Sequence, residues 1–198
     1  MKHFYAFIFL VLIISCKKEP LKNTNSTATA VIHTEEGKIL SIDTLLFQKS
    51  FDSTVVKFYQ ANEYKTFWMD FNCRESIISL FSKVEEEGLN SNDFDTKKIL
   101  KLEKSVATLT NQELINYDFL LTNNLNRYIH KTAIGSLNPK EIYEDWDLKP
   151  NKANPLRLLL NFQKKDSFDY AVNEIKPNHL VYKKLKHALR LINQYPDK

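Results

Sequence analysis

The sequence predicts a mainly α fold, a compact multi-helix bundle with a short N-terminal hairpin as its sole β feature. Three observations carry that prediction. Only 3 of the 198 residues are Gly and 6 are Pro, while Leu, Ile, Lys, Asn and Glu abound, a balance that suits helices better than a turn-rich sandwich. Apolar residues recur at three- and four-residue steps in several separate stretches. Start and stop signals bracket those stretches.

The first residues form an appendage. Lys2 supplies a positive start, and Phe4 to Ile14 is an unbroken apolar run. At about 1.5 Å per residue such a helix reaches about 16 Å, about half the thickness of a hydrocarbon core. It therefore reads as a signal segment, residues 1–15, and not as a spanning helix. The run closes on Ile13-Ile14-Ser15-Cys16 and is followed by Lys17-Lys18. That pattern resembles a bacterial lipoprotein signal, with Ile14 where a small residue is commoner. The resemblance implies cleavage before Cys16 and acylation of Cys16, hence a membrane-anchored protein of the cell envelope with its domain in the periplasm. Several acyl chains hold a protein on a bilayer where one binds marginally, and the Lys17-Lys18 pair adds attraction to anionic headgroups.

Residues 16–44 read as a tether. Lys17 to Ala30 is polar and lacks apolar periodicity. Val31-Ile32 and Ile39 to Ile42 flank Glu35-Glu36-Gly37, the pattern of the short hairpin. The packed domain is expected over residues 45–198. Phe51 to Asn62 predicts a helix with Val55, Phe58 and Tyr59 on one face. Glu63 to Trp68 is aromatic and irregular. Cys73 to Glu87 predicts a helix striped by Ile77, Phe81 and Val84, stopped by Gly88, with Leu89 folding back. Asn92-Asp93-Phe94 opens the next, through Ile99, Leu102 and Val106.

The longest helix runs from Thr110 to about Lys131. Thr110 and Glu113 form a capping box. Leu114, Leu121, Leu125, Tyr128 and Ile129 make its stripe, Gly135 offers a left-handed stop and Pro139 blocks resumption. At about 30 Å it spans a small domain, so the other helices can pack along it. Asp118 falls on its apolar side. Such a carboxylate either stays at the helix edge in water or is buried with hydrogen-bond partners. We take Asp118 as a structural polar anchor and look for its partner in the loop bearing Trp146. A catalytic pairing of Asp118 with Tyr128 or His130 lacks a second acid or metal set at a telling spacing.

Asn138 to Pro150 reads as a loop or short helix holding Tyr143 and Trp146. Asn154-Pro155 caps a helix with Leu156, Leu159, Leu160 and Phe162. A short helix carries Phe168, Ala171, Val172 and Ile175 up to Pro177. The last runs from His179 to Gln194, with Tyr182, Leu185, Leu189 and Ile192 inward and Lys183, Lys184, Lys186 and Arg190 outward.

Several function classes are excluded by type and spacing. With Cys16 lipidated, Cys73 has no partner within the chain, and it reads as a small residue near a helix start. The histidines lie in no Cys/His block and lack metal-ligand spacing. No catalytic residue, cofactor or metal is expected. Loss of residues 1–15 removes only Lys2 and lowers the formal charge of +4 by one, too mild for nucleic-acid binding. Glu85-Glu86-Glu87 reads as a solvated run.

Ordered blocks resemble one family. Phe58-Tyr59, Tyr64 and Phe67-Trp68 match its aromatic opening. Leu80-Phe81 through Glu87-Gly88-Leu89, then Asp93-Phe94, match its second step. Asp118, Leu121-Thr122, Tyr128 and the Gly135 to Pro139 stretch match a third block. Pro177, Tyr182, Leu185, Ala188 and Leu189 match its closing helix. These are similar to the helical scaffold domain that precedes the catalytic domain of large periplasmic L,D-transpeptidases, over about residues 45–195. The resemblance implies a mainly α fold and a non-catalytic role supporting peptidoglycan 3–3 crosslinking, with peptidoglycan or a cell-wall enzyme as partner. The family's Ser-His-Gly-Cys block has no counterpart here. Cys73 is preceded by Phe71-Asn72 and cannot inherit the nucleophile's part. The alternative expectation is a lipoprotein adaptor that binds an envelope protein through Lys183, Lys184, Lys186 and Arg190.

Overall fold

The computed structural model describes residues 37–48, 52–135, 137, 139–145, 153–164 and 168–195. The signal segment, Cys16, the first hairpin arm at Val31-Ile32 and Trp146 lie outside the described residues. Residues from 33 onward form one compact unit. Its elements are α-helices α1 (Ser53–Ala61), α2 (Phe71–Ser82), α3 (Thr96–Lys104), α4 (Asn111–Ile129), α5 (Pro139–Ile142), α6 (Pro155–Asn161), α7 (Phe168–Ile175) and α8 (Leu180–Ile192), with short 3-10 turns between some of them. No described helix is long and apolar enough to cross a membrane.

The bundle is built on α4. Its first turn is closed by the capping box: Glu113 N donates to Thr110 Oγ1 at 3.3 Å and Thr110 N donates to Glu113 Oε2 at 2.8 Å. The helix packs against α1, α3 and α6, so it is buried on most of its circumference. Leu121, Leu125, Tyr128 and Ile129 are fully enclosed, as the stripe required. Each large apolar side chain so buried contributes on the order of 1.5–3 kcal/mol. α4 does not end at the expected stop. Its last turn widens into a π-turn, His130–Ile134, and only then does Gly135, at φ 102°, turn the chain. Pro139 does not block a helix but opens one, α5, at the position where its missing N–H costs nothing.

Two further boundaries differ from the periodicity. α2 starts two residues early, at Phe71, because Asp70 caps it: Cys73 N donates to Asp70 Oδ1 at 2.9 Å. It stops at Ser82, and Val84–Glu87 tightens into a 3-10 turn closed by Gly88 at φ 74°. Leu89 N donates back to Val84 O at 3.1 Å, the expected fold-back. Ser91–Phe94 is likewise 3-10, and Asp95 at φ 48° separates it from α3.

The second arm of the expected hairpin, Ile39 to Ile42, pairs with a segment beyond α1. Ile42 N donates to Tyr64 O at 2.7 Å and Thr66 N to Leu40 O at 2.9 Å, an antiparallel bridge. The chain reaches that register through two consecutive left-handed residues, Glu63 and Tyr64, at φ 53° and 52°. Side chains with a Cβ adopt this region at a cost of about 1 kcal/mol or more each. Gly37 lies against the next segment so closely that a Cβ would sit 1.9 Å from the Met69 carbonyl oxygen.

Candidate functional site

Asp118 is fully buried on α4, and its bonds go to the aromatic segment after α1. Oδ2 accepts from the backbone N–H of Phe67 at 2.8 Å and of Trp68 at 2.7 Å. Oδ1 accepts the Tyr59 hydroxyl at 2.5 Å. Thr122, one turn on, lies 2.7 Å from the same hydroxyl and accepts Trp68 Nε1–H at 2.8 Å. The expected anchor is thus tied to Phe67 and Trp68, while Trp146 lies outside the described residues; Tyr128 and His130 are not among its partners. Phe58 stacks on Trp68 at 6.1 Å and Phe119 meets Tyr59 edge-on at 5.0 Å, sealing the site.

The donor count lets this lock exist in two protonation states. With Asp118 ionised, Tyr59 donates to Oδ1 and Thr122 donates to the Asp118 carbonyl, 3.0 Å away. With Asp118 protonated, its own hydroxyl can donate to Tyr59, which then donates to Thr122, and the two amides still bind Oδ2. Burial pushes the carboxyl up, and the Tyr59, Trp68 and Phe67 bonds pull it partly back, leaving it at about 6. Asp118 is closed off from solvent. The arrangement fastens α1 and the Glu63 to Trp68 segment onto α4.

A second polar brace lies alongside. Arg74 Nε binds both oxygens of Glu103, at 3.2 and 2.9 Å, and Nη1 donates to the Trp68 and Met69 carbonyls. Tyr117 donates to Glu103 at 2.7 Å. This brace joins α2, α3 and α4 and was not legible beforehand, because its side chains, Arg74, Glu103 and Tyr117, are up to 43 residues apart.

The outer face is organised by Glu87. Its side chain is 7% exposed, so it departs from the solvated run expected of Glu85-Glu86-Glu87. It accepts from Tyr182 and Lys186 on α8 and from Lys176, at 2.9 Å, after α7. Burial would raise its carboxyl, but the Lys186, Tyr182 and Lys176 bonds outweigh that and hold it below 4.5. Lys186, expected on the outward face, is therefore half-buried in this cluster. Lys183, Lys184 and Arg190 are exposed as expected. Leu185 and Ile192, expected inward, are 65% and 67% exposed. Tyr182, Lys186 and Leu189 form the packing face instead, because Glu87 rotates α8 toward its two polar partners. A cleft of about 540 Å³ runs between this helix and Glu86, lined by Lys183, Lys186, His187 and Arg190.

Cys73 is half-buried one turn into α2. Burial and the neighbouring Asp70 raise its thiol above the ordinary value, against a smaller pull from Arg74. That is the opposite of an activated thiolate. Among the described residues no group of His, Cys, Asp and Glu could hold a metal.

A family model described as Scaffold domain matches residues 53–189, from the first residue of α1 into α8. This agrees with the resemblance to the scaffold domain of L,D-transpeptidases, and the aromatic and Asp blocks that carried it are the ones assembled in the buried lock. No curated protein and no solved structure matches the chain.

Proposed function

Given that the chain belongs to the Scaffold-domain family over most of its length, we propose that it is a non-catalytic, envelope-tethered scaffold. In this reading it supports peptidoglycan crosslinking by holding a glycan strand or a cell-wall enzyme near the membrane, with acylated Cys16 as the tether. The observation that carries the reading is that the matched region is spent on buried locks. Asp118, whose carboxyl is pushed up to about 6, is fully buried with its oxygens occupied by Tyr59, Phe67 and Trp68. Cys73, the one described thiol, is raised above its ordinary value by burial and by Asp70, the opposite of an activated thiolate.

The test is co-sedimentation of residues 17–198 with purified sacculi, beside affinity capture from envelope extract. The core runs from Leu40 to Ile175, so this form keeps all of it. Sedimentation with sacculi or capture of a cell-wall enzyme is the expected result. Association with neither contradicts the reading.

A further inference from the structure

The last helix is only half used by the fold. None of its residues is buried, although it is strongly amphipathic. At about 100° per residue, Tyr182, Lys186 and Leu189 share the side that meets Glu87. Leu180, Val181, Leu185, Leu191 and Ile192 occupy an arc of about 140° turned away from that side, and all five are exposed. No acidic residue occurs between Leu180 and Tyr195, whereas Lys184 lies within the apolar arc and Lys183 and His187 flank it. Lys186 is neutralised by Glu87, while the exposed Lys183, Lys184 and Arg190 give the helix a positive field.

From this we propose that α8 is a membrane-surface helix that lies in the headgroup layer of an anionic phospholipid bilayer. Three features point to that occupant. The charge is of one sign, which an anionic surface complements. The apolar arc is convex and carries Lys184 toward one edge, a side chain that can bury its stem and raise its ammonium to the headgroups. A second copy is disfavoured, since pairing this face with itself would bury Lys184 in an apolar seam with no carboxylate on the partner helix to meet it. The lysines on the shoulder stay within about one Debye length, about 8–10 Å, of the surface and add attraction. The inference goes beyond the scaffold role and is independent of it, because it needs neither the lipid on Cys16 nor a cell-wall partner. If Cys16 is acylated, α8 supplies a second membrane contact and sets which face of the bundle looks outward.

The test uses residues 17–198 and vesicles of phosphatidylcholine with and without phosphatidylglycerol, read by sedimentation at low and at 0.5 M salt. Expected is binding to the phosphatidylglycerol vesicles, weakened at least about tenfold by salt or by the charge reversal K183E/K184E. The pair L185S/I192S, at exposed positions that leave the core untouched, is expected to abolish it. Unchanged circular dichroism and melting of both variants show that the fold survives. Three results overturn the proposal: no binding above that to neutral vesicles, binding indifferent to both variants, or a concentration-dependent dimer lost in L185S/I192S with no vesicle binding.

Discussion

Replacing Asp118 tests how the bundle is fastened. Asp118→Ala removes the acceptor of two backbone amides, Phe67 N–H and Trp68 N–H, while Tyr59 can still turn to Thr122. Two buried donors left bare cost about 1–3 kcal/mol each, so the loss is about 2–6 kcal/mol. Asp118→Asn is different. Its carbonyl keeps both amides and its NH2 donates to Tyr59, the pattern of the protonated acid, so the loss is about 1 kcal/mol. The pH dependence separates the two further. The native carboxyl sits at about 6 and the unfolded one near 3.8. The folded state then holds more protons between those values, so this group's contribution falls as pH rises from about 4 to about 6, by about 3 kcal/mol, and is flat above. Urea unfolding followed by circular dichroism at pH 4, 5, 6 and 7 reads both effects, and Asp118→Asn should remove that slope. If Asn costs as much as Ala, or leaves the slope in place, the reversible hydrogen-bond chain is wrong.

Three other outcomes follow from the same geometry. Gly37→Ala should destabilise the protein by about 1–3 kcal/mol in thermal melts, since its methyl cannot share space with the Met69 carbonyl. Glu87→Gln should speed amide exchange in α8 while leaving α4 protected, because Glu87 holds α8 and the end of α7 by side-chain bonds; acid should act likewise, as a carboxyl held below 4.5 gives its full contribution above that value and loses it as pH falls further. Arg74→Met should lower stability by about 2–4 kcal/mol, leaving Glu103 and the Trp68 and Met69 carbonyls short of donors, and Glu103→Gln in that background should recover part of it.

Much of the fold was legible because local chemistry decides it. The Thr110 and Glu113 capping box, the Asn154-Pro155 start and the Gly88 stop each act within four residues, and each is found in place. What was not legible depends on distant partners. The π-turn after Ile129 and the left-handed pair Glu63-Tyr64 have no marker in their own residues; the pair sets Lys65 and Thr66 beside Leu40 and Ser41. Asp118 could be singled out as a carboxylate on an apolar stripe, but not matched to Tyr59, 59 residues away. The last helix misled for an instructive reason. Its apolar arc is real, and periodicity alone assigns such an arc to the core, whereas Glu87 recruits the neighbouring Tyr182 and Lys186 side and leaves Leu185 and Ile192 in solvent.

The central proposal is that this chain acts by holding and performs no acyl transfer. The most direct measurement is incubation of the purified protein and its Cys73→Ala variant with a tetrapeptide donor, followed by chromatography of the products. The account predicts unchanged donor from both. Crosslinked product that vanishes in the variant would contradict it.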